Sequence, residues 1–113
     1  MYYLGLDVGS SSVKAAIVDA KSGKSILSVH EPKNEMGINS LNNDWAEQDP
    51  NIWWKYTCDA IKRVCKESNI DSKKIGSIGI SYQMHGLVVV DKNGSPLRDS
   101  IIWCDSRAVN IRD

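Results

Sequence analysis

The sequence has no surplus of either charge: 14 lysines and arginines stand against 14 aspartates and glutamates. That balance lacks the basic footprint by which a chain this short would hold nucleic acid or an anionic membrane surface. No apolar run is long enough to cross a bilayer, and Met1 leads directly into a strand-like segment rather than a signal peptide. Cysteine is scarce: Cys58, Cys65 and Cys104 are odd in number and show no CxxC spacing. Such usage argues against a disulfide framework or a zinc site and for a reduced, cytoplasmic compartment. Internal repeats and low-complexity tracts are missing as well, so the 113 residues read as one small domain with a modest core.

What is present has a clear order. Tyr2 to Val8, Val13 to Asp19 and Ser25 to Glu31 read as strands, the last two joined through KSGK, a tight-turn sequence. Glu31 to Asp44 has no periodicity and reads as loop. Asp49 then offers a helix N-cap with Pro50 at the first helical position. Behind them Trp53, Thr57, Ala60, Ile61 and Val64 recur at helical spacing, with Trp54, Cys58 and Cys65 widening the apolar stripe. Lys55, Asp59, Lys62 and Lys66 fall opposite, so this helix is expected to lie on a sheet, with both helical cysteines as small core residues. Ile75 to Tyr82 is a further strand whose glycines suggest close packing, and Leu87 to Val90 another, followed by the turn DKNG and the segment IIWCD. The order predicts an α/β fold: a mixed sheet covered by a helix. The final SRAVNIRD starts like another helix, which reads as a truncation of something larger.

Chemistry concentrates in the loop after the first strand. Asp7 ends the strand; Gly9 permits close backbone approach; Ser10, Ser11 and Ser12 bring hydroxyls and consecutive N–H groups; Lys14 adds a positive charge. A carboxylate beside such a loop can hold a hydrated Mg²⁺, so the set suits a metal–polyphosphate. It is not a Walker A loop, because GxxxxGK[ST] is missing and a strand follows. Taken alone, small polar residues between two strands are also what any hairpin contains. His85, at a strand end in QMHG, has an equally plain reading as a histidine bonded to a nearby carbonyl. Asp49 and Pro50 are explained as a helix cap, and Glu47 as a solvated charge, so WAEQDP receives no catalytic part.

Four stretches together carry a resemblance: DVGSSSVK at Asp7 to Lys14, WAEQDP at Trp45 to Pro50, QMHG at Gln83 to Gly86 and WCDSR at Trp103 to Arg107. In this order the chain resembles, end to end, the N-terminal part of the FGGY carbohydrate kinases. That family belongs to the ribonuclease H-like, actin-like ATPase fold and includes glycerol kinase, gluconokinase and xylulokinase. Its pattern usually has threonine where Ser10 stands, and serine keeps the hydroxyl. The resemblance implies ATP and Mg²⁺ as cofactors, with Asp7 near the metal and Gly9, Ser10, Ser11, Ser12 and Lys14 facing the ATP phosphates. It implies sugar contacts from Gln83, Met84 and His85, with Trp103 and Asp105 either flanking the sugar pocket or serving packing and loop hydrogen bonding. Met84-His85 followed by glycine looks like xylulokinases, whereas glycerol kinases carry an Arg-Glu pair and gluconokinases tend to place serine after the histidine.

The implied activity is phosphorylation of a sugar, D-xylulose first and gluconate or another pentulose or polyol as the alternative. A non-catalytic, nucleotide-switched actin-like binding protein is the reading from another class. The family's general base is an aspartate in a later segment, so His85 is not assigned that role. Residues 1–113 are expected to be the first part of the N-terminal domain, inactive alone and self-associating through exposed apolar surface.

Overall fold

The computed structural model describes residues 1–111. Alternating apolar and polar side chains form β1 (Tyr2–Val8), β2 (Val13–Asp19) and β3 (Ser25–Glu31), with the limits expected from sequence. β1 and β2 pair antiparallel from Tyr2 opposite Asp19 to Val8 opposite Val13, and β3 adds antiparallel to β2. The KSGK turn closes with the Gly23 amide donating to the Asp19 carbonyl at 2.8 Å, Gly23 adopting a left-handed φ of 74°.

A two-residue strand, β4 (Glu47–Gln48), leads into α1 (Pro50–Ser68). The Asp49 carboxylate accepts from the Asn51 amide at 2.9 Å, Pro50 opens the helix, and Asn69 closes it with a left-handed φ of 56°. β5 (Ile75–Tyr82) then joins the free edge of β1 in parallel, which the α1 crossover makes feasible, giving the sheet order β3-β2-β1-β5. The expected mixed α/β sheet is therefore present. β6 (Ser100–Ile101) pairs antiparallel with β4 in a separate two-stranded ribbon.

One core lies between α1 and the sheet. Thr57, Ala60 and Val64 of the helix are buried, and Leu4, Leu6, Val13, Ala15, Ile17 and Val29 supply the sheet side. Truncating a fully buried side chain such as Ile17 to alanine costs about 2–5 kcal/mol in settings of this kind. The helix lies chiefly over β2 and β3. Ile78, Ile80 and Tyr82 share the face of their register partners Leu4, Leu6 and Val8, yet all three are exposed.

Several expectations change. Leu87 to Val90 is not a strand: it makes two isolated bridges, Leu87 to Ile101 and Val90 to Pro96, because its apolar residues meet short turns rather than a neighbouring strand. Trp54 is 71% exposed, since a flank position of the helix is covered only where the protein lies beneath it, as it does at Ile61 and Cys65. Cys65 packs against the core, and burial pushes its thiol pKa up; Cys58 is only half-buried. Of the β5 glycines, Gly76 sits against the Met1 side chain, whereas Gly79 faces open space. Glu47 is buried, not solvated. The expected final helix begins as a 3₁₀ turn at Arg107–Asn110, and the rest of that expectation, at Arg112 and Asp113, lies outside the described residues.

Candidate functional site

Because β1 and β5 are parallel, their carboxyl ends lie side by side, and the two chemistry-bearing stretches that follow them emerge together. The Gln83 amide continues the ladder, donating to the Val8 carbonyl at 2.9 Å. DVGSSSVK and QMHG thus share one end of the sheet. WCDSR reaches the same place from far along the chain: the Trp103 indole N–H donates to Ser10 Oγ at 3.2 Å.

The loop between β1 and β2 is narrow. The Gly9 amide donates to the Ser12 carbonyl at 3.0 Å, and a Cβ at Gly9 would come within 3.2 Å of that carbonyl oxygen. Glycine serves close approach here rather than an unusual dihedral, since the glycines with positive φ are Gly23 and Gly94. Across the strands, Ser81, Asp7, Lys14 and His30 are successive register partners and form a row on one face of the sheet. Asp7, Ser11 and Lys14 are exposed and Ser12 is half-buried. Among the described residues no group of three or more His, Cys, Asp or Glu side chains converges as a metal cage. A single exposed carboxylate beside hydroxyls and a lysine fits a magnesium ion that keeps its waters and shares phosphate oxygens. Such an ion would neutralise polyphosphate charge, with Asp7 its protein ligand.

On the neighbouring stretch, His85 is exposed and held at a φ of 64°, in the left-handed region where a non-glycine residue is strained. Met84 is exposed beside it. The Gln83 side chain has both its Oε1 and Nε2 buried without a hydrogen-bond partner. Buried polar groups are nearly always paired, so an orphaned amide at a strand end is a functional signal.

Asp105 and Glu47 belong to a different construction. The Ala46 amide donates to Asp105 Oδ2 at 2.6 Å, the Arg107 amide to Oδ1 at 2.9 Å, and the Arg107 guanidinium grips both oxygens at 2.7–3.0 Å. This guanidinium holds the Asp105 carboxyl well below the usual carboxylate range, outweighing burial, which acts the other way. Arg107 also stacks 3.9 Å from the centroid of the Trp45 ring and approaches Glu47 at 3.6 Å, while Arg98 pairs with Glu47 from outside. WAEQDP and WCDSR therefore interlock, residue against residue, along the β4–β6 ribbon. With five hydrogen bonds from four protein donors on its carboxylate, Asp105 stands closer to the packing alternative than to the sugar-pocket one. Glu47 and Gln48 were passed over in the sequence because charged and amide side chains beside a helix cap are ordinarily solvated; nothing short of the interlock marks them as buried.

Three comparisons give this end of the sheet its context. The "Xylulose kinase" of Staphylococcus epidermidis is 41% identical over 104 residues, which cover 92% of this chain and 20% of the relative. A solved structure of a xylulose kinase from Brucella ovis superposes with a TM-score of 0.88 at 34% identity, covering 97% of this chain and 22% of that one. The gluconate kinase of Lactobacillus acidophilus superposes with a TM-score of 0.85 at 30% identity, covering 97% of this chain and 21% of that one. The chain thus spans about a fifth of the length of the curated relatives it matches. The fold is that of the actin-like sugar kinases. Residues 2–113 match the N-terminal domain of the FGGY family of carbohydrate kinases, and the chain belongs to that family.

Proposed function

We propose that these residues are the first part of the N-terminal domain of a kinase that transfers the γ-phosphoryl group of MgATP to D-xylulose, giving D-xylulose 5-phosphate. One observation carries the reading: QMHG leaves the end of β5 beside the end of β1, with the Gln83 amide on the Val8 carbonyl, and Trp103 of WCDSR bonds the Ser10 hydroxyl in the loop that follows β1. In the proposal Gly9, Ser10, Ser11, Ser12 and Lys14 receive the ATP phosphates, and Asp7 receives Mg²⁺. Gln83, Met84 and His85 receive the sugar, with Trp103 closing the wall and Asp105 setting its position. Phosphoryl transfer depends on positioning and charge neutralisation, which such a row can supply. The general base would come from sequence beyond Asp113. A cytoplasmic site of action accompanies the reading, in keeping with three free cysteines.

The test is a sugar panel with a polypeptide that carries this segment in a complete kinase. MgATP-dependent phosphorylation should be strongest with D-xylulose and crippled by His85→Ala. A strong preference for gluconate would replace the substrate while keeping the chemistry, and a gluconate kinase is among the similar structures. Calorimetry showing ATP bound and no sugar bound would instead favour a nucleotide-switched binding protein.

A further inference from the structure

We infer that Gln48 is a positioning residue, a buried amide clamp that fixes the backbone of the Ser10–Ser12 loop and aims its N–H groups at phosphate; the phosphate half of this rests on the function proposed above. Gln48 is 1% exposed. Its Nε2 donates to the Ser10 carbonyl at 2.5 Å and to the Gly37 carbonyl at 3.2 Å, and its Oε1 accepts from the Trp53 indole at 2.9 Å. Chemistry fixes the orientation of that amide, since only its NH₂ can satisfy carbonyls and only its oxygen can meet an indole N–H. The side chain joins the phosphate loop, the Met36–Gly37 segment and the first turn of α1 at one point.

The next loop residue is tied in the same direction. The Met36 amide donates to the Ser11 carbonyl at 2.8 Å, and Met36 is itself buried. Two consecutive carbonyls, of Ser10 and Ser11, are therefore occupied by buried donors. In a trans peptide the N–H points opposite to the C=O of the same unit. The N–H groups of Ser11 and Ser12 are accordingly turned away from those donors, as a pair of successive anion-binding donors must be. The clamp also keeps two partial negative charges from facing the phosphates. Without it, rotation of the Ser10–Ser11 peptide would put a carbonyl where a donor is needed.

The experiment uses the full chain, ¹⁵N-labelled, with Gln48→Glu and Trp53→Phe. The first keeps size and the acceptor for Trp53 but deletes both donors to carbonyls; the second leaves the carbonyl bonds and removes only the indole brace. Amide exchange at Gly9 and Met36 should speed up about tenfold or more in Gln48→Glu and by a smaller factor in Trp53→Phe, with the Thr57–Val64 amides of α1 unchanged. Titration with MgATP, followed on the Ser11 and Ser12 amides, should show affinity falling about tenfold in Gln48→Glu. Wild-type protection of the loop in Gln48→Glu overturns the clamp. So does equal loss of protection across α1 in both variants, which marks a merely structural part, or a loosened loop with unchanged MgATP affinity. If the wild-type amides do not respond to MgATP at all, the nucleotide reading fails, and the exchange data alone decide whether Gln48 holds the loop.

Discussion

Trp103 donates its indole N–H to Ser10 Oγ at 3.2 Å, across 93 positions of sequence. That bond is where the phosphate side and the sugar side of the proposed site touch. Trp103→Phe and Ser10→Ala each remove it, and each should lower stability by about 1 kcal/mol, the net worth of a neutral hydrogen bond. In the double variant the losses should fall short of their sum, leaving a coupling of roughly 0.5–1 kcal/mol in a double-mutant cycle. Strict additivity in urea melts would show the two side chains to be energetically independent.

Asp105 predicts an acid limb of definite sign. Its folded pKa lies below the value of about 3.9 for an unfolded aspartate, because Arg107 holds the carboxylate charged. The unfolded chain therefore takes up the proton first as the pH falls. The stability from this pair is complete above the unfolded value and drains away as the pH drops toward the folded one. Asp105→Asn should be less stable than wild type at pH 7, and the gap should narrow by pH 3. A gap of constant size across that range would remove the ion pair as its source.

His85 separates backbone from side chain. Replacing it by glycine relieves a left-handed conformation worth about 1–2 kcal/mol, while glycine's extra freedom takes back about 0.5–1 kcal/mol. The thermal midpoint of His85→Gly should therefore stay close to wild type or rise slightly, while xylulose binding is lost. If His85→Gly binds the sugar as the wild type does, the imidazole is not a sugar contact.

The open half of the sheet bears on association. Ile78, Ile80 and Tyr82 lie on the helix-side face beyond the reach of α1, with Ile80 61% exposed. A solution of the 113-residue chain should contain dimers or larger species by sedimentation velocity, and Ile80→Lys should shift it toward monomer. A clean monomer for the wild type would show that this face tolerates water.

The limits of β1, β2, β3 and β5 and the start of α1 were legible because each has its own periodicity and its own punctuation, as at KSGK or Asp49-Pro50. The ingredients of the proposed site could be named as residues too, since Gly9 to Ser12 and QMHG each follow a strand, at the end of a sheet where ligands commonly bind in α/β folds. What escaped was everything set by distant partners. Nothing in the residues around Glu47 says that Arg98 and Arg107 will come to meet it, nor that Gln48 will face the Ser10 carbonyl. Leu87 to Val90 misled for the same reason: β-branched residues suit a strand, but only a neighbouring strand makes one.

The interlock of Trp45–Gln48 with Ser100–Arg107 has a consequence for the order of assembly. The β1–β2–β3 meander needs only near neighbours, so it can form while a growing chain is still short. The ribbon that braces its first loop requires residues past 100, so Trp103 and Asp105 emerge well after that loop has been made. During synthesis the proposed phosphate loop is thus among the earliest pieces made, yet it is braced only after the segment that carries Trp103 has left the ribosome.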